Sequence, residues 1–178
     1  MTAVTSFATN DLVDELTLDA LSDMASEQLD ALYRQGKLPE SMARLDGKPK
    51  GRMLAVRGLD TTPLSFPLRL LASSRLFPWA GKSFRSATDK TGEGINRINL
   101  TLSQRTWFPF NTVIEPSVID GKPCIYLDYD LAGNPWFVRR IRDELREVAP
   151  GLFLGPAMWK QKDAGAMLVL WFAIDTRA

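Results

Sequence analysis

The 178-residue chain has no histidine and a single cysteine, Cys124. Without histidine it lacks the commonest metal ligand and the usual general base near neutral pH. A Ser-His-Asp or Cys-His nucleophile system is excluded, as are a His-ligated haem and a facial-triad iron site. Proton transfer is left to Asp, Glu, Tyr, Lys or water. One cysteine forms no intramolecular disulfide and supplies too few thiolates for a Cys-based zinc site. No metal and no cofactor are indicated.

A charge excess is also missing. Lys plus Arg is 22 and Asp plus Glu is 21, a net charge of +1, so nothing suggests a nucleic-acid partner, which normally requires a basic stripe. No stretch approaches the roughly 20 apolar residues that span a bilayer, and residues 1–10 have neither a charged n-region nor an apolar run. The expectation is a cytoplasmic protein with no membrane partner. Hydrophobic residues make up 45%, enough for the core of one domain covering residues 1–178.

Residues 1–9 are small and polar and are expected to be flexible. Over residues 11–35, Leu12, Leu16, Leu21, Leu29 and Leu32 recur at helical spacing among acidic residues, and Gly36 is a plausible stop. Thr17 or Ser26 is placed to start a second helix within this span. The acidic face reads as solvated, or as a partner surface if an apolar patch lies beside it.

From residue 51 onward the pattern is that of a curved sheet. Strands are expected at 52–58, 94–102, 106–115, 124–131, 152–160 and 167–176, with a helix at about 66–77 that starts on Pro67. Asn134-Pro135 reads as an N-cap and first helical residue, followed by Phe137, Ile141, Leu145 and Val148 at helical spacing, which predicts a helix over 135–148. Asp120-Gly121 between apolar runs is a hairpin signal. Pro109 cannot donate to a ladder and marks a bulge. Short turns between strands imply antiparallel pairing, and six to eight such strands twist and curl. The fold class is therefore α+β, mostly antiparallel β: a lipocalin-like barrel or strongly curved sheet, with a cone-shaped α+β roll as the alternative.

Candidate site residues follow from the pleat. Arg97 and Asn99 share one face of their strand, and Tyr126 and Asp128 share one face of theirs. Facing water, these groups are ordinary surface. Facing a cavity, Arg97 would hold a carboxylate or enolate oxygen, and Tyr126 or Asp128 would pass a proton. Five tryptophans and nine phenylalanines supply core filling, or the walls of a site for a flat or lipophilic ligand. Trp79, Trp107, Phe110, Trp159 and Trp171 are the candidates. Lys82, after Gly81, is placed either on the surface or within reach of a ligand's carboxylate or phosphate.

Trp79-Ala80-Gly81-Lys82-Ser83-Phe84, behind Leu38-Pro39, resembles the Trp-Tyr-Gly-Lys-x-Phe patch of a bacterial family named for its Gly-x-Trp-x-Gly motif. That resemblance implies a lipocalin-like barrel. The defining motif is absent: the corresponding region reads Gly47-Lys48-Pro49-Lys50-Gly51, without tryptophan. The order strand, short helix, strands is also similar to fatty-acid-binding and nitrobindin-like barrels, though without histidine the haem of the latter is not expected. The functional expectation is a small hydrophobic ligand in an internal cavity. The alternative is a cofactor-free lyase, isomerase or cyclase acting on such a molecule through Arg97, Tyr126 and Asp128.

Overall fold

A computed structural model describes residues 16–56, 79–100, 103–162 and 165–177. The segments expected to be flexible at 1–9 and helical at 66–77 lie outside these residues, as does the start of the 11–35 helical span. The rest of that span is two helices, α1 (Leu18–Ser22) and α2 (Ser26–Gln35). The Thr17 hydroxyl accepts the Ala20 N–H at 3.1 Å and starts α1. The Gln28 side chain folds back onto the Ala25 N–H at 2.8 Å and starts α2. Leu18, Leu21, Leu29 and Tyr33 form the buried face.

Eight antiparallel strands follow among the described residues: β1 (Lys50–Val56), β2 (Trp79–Ser86), β3 (Thr91–Leu100), β4 (Ser103–Pro116), β5 (Pro123–Asp128), β6 (Ile141–Ala149), β7 (Leu152–Lys160) and β8 (Ala166–Asp175). Strands β2 to β8 pair in chain order, and β1 lies beside β8. The mostly antiparallel β architecture expected from the sequence is what the chain adopts, as a strongly curled sheet. The edge strands β1 and β2 carry no ladder between them among the described residues, yet they meet where both have glycine. A Cβ on Gly51 would sit 2.5 Å from the Gly81 Cα. Arg97 spans this seam, its Nη2 donating to the Lys48 and Pro49 carbonyls.

The inner face of the sheet holds one core, including Phe84, Phe110, Leu127, Leu145, Phe153 and Phe172. A 3₁₀ turn at Met42–Leu45 contributes Met42 and Leu45 to it. The outer face of β7 and β8 holds a second core, where Leu152, Leu154, Trp171 and Ala173 pack under α1 and α2. The bulge expected at Pro109 is present. Ile95 pairs with Pro109 and Asn96 with Trp107, which leaves Phe108 as the extra residue at φ 59°. The Asp120-Gly121 hairpin joins β4 to β5, with Gly121 at φ 74°.

The helix expected at 135–148 is not formed. Val138–Arg140 is a single 3₁₀ turn, and Ile141–Ala149 is strand β6, laddered to β5 and β7. Apolar spacing over nine residues fits either period, and the two flanking strands overrule helical propensity. As a strand, β6 alternates Ile141, Asp143 and Leu145 inward with Arg142, Glu144 and Arg146 outward. The outward row is buried by α2 and the β4–β5 turn. The Arg146 guanidinium grips Asp120 at 2.7 and 2.9 Å and donates to the Tyr33, Lys122 and Pro123 carbonyls. Glu144 accepts from Tyr33 Oη (2.8 Å), Ser117 Oγ (2.5 Å), the Val118 N–H (3.1 Å) and Arg142 Nε (2.8 Å).

This network fixes the acid response. Burial pushes the Glu144 carboxyl up, but the bonds from Ser117, Arg142, Val118 and Tyr33 together outweigh it and hold the group below the usual glutamate value. The Arg146 hydrogen bonds pull Asp120 from 3.8 to about 2. A depressed folded pKa gives stability that is present above the unfolded value and lost as pH falls through the folded one. From these two groups, unfolding free energy is expected to be flat between about pH 5 and 8 and to fall steadily toward pH 2. Urea titrations across that range read the slope, and Asp120→Asn is expected to flatten its lower part.

Candidate functional site

Three inward residues from three strands bring polar groups into the apolar interior. Lys82 comes from β2, Asn96 from β3 and Asp143 from β6, and Tyr129, just past the end of β5, joins them. Lys82 Nζ donates to Asn96 Oδ1 (2.9 Å), Tyr129 Oη (2.6 Å) and Asp143 Oδ2 (2.9 Å), so all three of its protons are used. Tyr129 Oη lies 3.0 Å from Asp143 Oδ2. Asn96 Nδ2 donates to Tyr129 Oη and to the Phe108 carbonyl, each at 3.2 Å. Trp79 Nε1 donates to Asn96 Oδ1 at 3.1 Å.

The ammonium also sits among four rings, 4.9 Å from the centroid of Phe172, 5.3 Å from Tyr129, and 5.4 Å from both Trp79 and Phe110. Such a cage attracts a desolvated cation. The Lys82 and Asp143 side chains are 4% and 5% exposed. Burial lowers the Lys82 pKa even with the Asp143 carboxylate beside it. Burial, reinforced by the Asp143 charge, raises Tyr129 well above the ordinary tyrosine value.

One atom in this cluster has no hydrogen-bond partner among the described residues: Asp143 Oδ1, which is buried. Asp143, Lys82, Asn96 and Tyr129 all line a cavity of about 90 Å³ whose other walls include Met53, Trp79, Ile98, Phe108, Val138, Ile141, Ala157, Met158, Leu170 and Phe172. The bulge that puts Phe108 out of register also makes it part of this wall. A left-handed backbone at a phenylalanine costs about 1–3 kcal/mol and occurs where surrounding structure imposes it.

The residues singled out from the sequence divide into two groups. Trp79 and Lys82 line the cavity and the Phe110 ring packs against the Lys82 ammonium. The others lie elsewhere. Arg97 clips the β1–β2 seam. Asn99 is exposed and takes a bond from Gln104. Tyr126 and Asp128 bond each other on the outer face, with the Arg142 guanidinium over the Tyr126 ring and Lys160 beside Asp128. Trp107 is exposed, and Trp159 lies under Arg140. Trp171 is buried on the outer face against Tyr33 and donates to Ser26. Arg97, Tyr126 and Asp128 therefore do not converge, and the convergent set is Lys82, Asn96, Tyr129 and Asp143. Two signals for that set were present in the sequence. Tyr129 completes the apolar row Ile125, Leu127, Tyr129, and Asp143 sits between Ile141 and Leu145 once β6 is read at period two.

Other features noted from the sequence stay separate from this site. Cys124 is buried, and burial pushes its thiol up to about 12, so it is an inert core group. Among the described residues no helix is long and apolar enough to cross a membrane. The exposed large apolar side chains among them are Trp107, Val118 and Trp136. No family model, curated protein or solved structure matches this chain.

Proposed function

We propose that the chain is a binding module that takes a small, mostly apolar molecule into the interior of its curled sheet, in the manner of a lipocalin-like barrel. The observation that carries this reading is the cavity lined by Asp143, whose Oδ1 is buried and has no partner among the described residues. A buried carboxylate oxygen without a donor costs about 1–3 kcal/mol or more. A ligand hydroxyl or amine that donates to it, with the alkyl part along Met53, Ile98, Leu170 and Phe172, removes that cost. The in-order antiparallel meander and the meeting of β1 with β2 at Gly51 and Gly81 support the barrel-like part of the reading.

Size limits the ligand. The ~150 Å³ engineered cavity that takes benzene is larger than the 90 Å³ here. This favours a slim chain with one polar head over a substituted ring system. A short primary alcohol such as 1-propanol, smaller than benzene, fits that description. At ten times its Kd it is expected to stabilise the fold by about 1.4 kcal/mol, a rise in Tm of about 3–5 °C for a chain of this length. Calorimetric melts against propanol concentration check this. No concentration-dependent rise at all would count against the reading.

The enzymatic alternative changes its residues. Groups able to move a proton do line the cavity, but they are Lys82, Tyr129 and Asp143. A cofactor-free lyase or isomerase built here would act through them, with the same small apolar substrate class.

A further inference from the structure

We infer that the ligand class of this cavity is a small aldehyde or ketone, and that Lys82 holds it as a covalent imine. The inference rests on the binding reading above and adds to it the bond that forms. It stands on three observations. Lys82 lines the cavity, so a bound carbonyl carbon lies beside its side chain without leaving the apolar interior. Asp143 and Tyr129 are within 2.9 and 2.6 Å of that nitrogen and 3.0 Å of each other, a ready path for the protons that imine formation moves. Asp143 keeps its second oxygen unengaged, free to serve the carbonyl oxygen while Oδ2 serves the amine.

A purely structural role explains these observations less well. A buried ion pair gives little net stability over apolar residues of the same volume, so stability alone does not account for one in a cavity wall. Desolvation that lowers the lysine's proton affinity also raises its share of free amine, the condition a Schiff-base lysine needs.

The step balances within the site. Asp143 takes a proton from the ammonium, directly or through Tyr129. The Nζ lone pair then bonds to the carbonyl carbon while the C=O π pair moves to oxygen, which takes that proton back from Asp143. The new ammonium centre returns a proton to Asp143, leaving a neutral carbinolamine. The C–O bond breaks, oxygen leaves as water with the Asp143 proton, and the nitrogen pair forms the C=N bond. The net change is ammonium plus carbonyl to protonated imine plus water. Asp143 ends as the carboxylate that balances the iminium, so the pair's charge is unchanged throughout.

The test uses the full chain and two probes with the same alkyl body, propanal and 1-propanol. Each is added near pH 7, the propanal sample is reduced with borohydride, and labelled lysines are located by peptide mass mapping. Lys90, which is exposed, is the internal reference. Burial lowers the proton affinity of Lys82 and raises its share of free amine, so Lys82 is expected to be labelled several-fold faster than Lys90, and excess propanol is expected to slow labelling at Lys82 only. If both probes raise Tm but Lys82 carries no adduct, or is labelled no faster than Lys90, the imine inference is overturned and the binding reading stands. If neither probe raises Tm and Lys82 is unlabelled, both fall together.

Discussion

Replacing Asp143 with leucine is expected to lower the unfolding free energy by about 3–5 kcal/mol, because it leaves the Lys82 ammonium buried without its counter-charge. The four rings around Nζ and its bonds to Asn96 and Tyr129 remain, and they offset only part of that desolvation. Lys82→Met alone is expected to be comparably damaging, since it strands the carboxylate instead. The double change Lys82→Met with Asp143→Leu removes both charges and replaces them with apolar volume, and is expected to fall within about 1 kcal/mol of the natural chain or above it. Urea unfolding of the four proteins forms a double-mutant cycle. A large negative coupling identifies a pair kept for what it does in the cavity. If the double variant is as unstable as either single one, the pair holds up the fold, and the functional reading of its position fails.

Gly155→Ala is expected to do at least as much harm by a different route. Gly155 lies in β7 beside the β6 backbone, where an added Cβ would come 1.7 Å from the Glu144 carbonyl oxygen. That atom belongs to a laddered strand on whose two faces Glu144 and Asp143 are held, so it cannot swing aside as a side-chain tip would. The strands must separate locally, and the cost lies at or above the top of the ~1–3 kcal/mol range for overpacked cores. The effect extends to function, because moving β6 moves Asp143 away from Lys82. Gly133→Ala is the control: nothing lies within 4 Å of its added Cβ, and less than about 0.5 kcal/mol is expected. Thermal melts of the two variants give the comparison.

These sites show what could be read from the chain and what could not. The antiparallel meander was legible because turn chemistry announces it. Asp120-Gly121, the proline at position 109 and the alternation in β3 and β5 each state a period or a break locally. The helix start at Thr17 was legible for the same reason. Strand β6 was not: Ile141, Leu145 and Val148 suit a helix, and Pro150-Gly151, the two-residue turn that joins β6 to β7, serves equally well as a helix stop. That error hid Asp143, which in a helix belongs to a solvated face and in a strand is the one carboxylate of an inward row. The polar residues chosen from the sequence, Tyr126 and Asp128, lie on the outer face, where packed side chains and ion pairs satisfy them. Polarity alone marks the water side of a sheet as readily as a cavity. Lys82 was visible as a residue but not as a buried one, since its burial comes from Trp79, Phe110, Tyr129 and Phe172 on four different segments.

The claim that joins fold to function is that the space beside Lys82 and Asp143 is where a small molecule binds. Ala157 lines that space from β7, directly across the ladder from Asp143, and is only half-buried, so leucine there fills the cavity without replacing either member of the ion pair. Titration calorimetry of 1-propanol into the natural chain and into Ala157→Leu tests the claim most directly. Binding to the natural chain, its loss in Ala157→Leu and an unchanged or raised Tm for the variant are the predicted results. Equal binding to both proteins, or to neither, would contradict it.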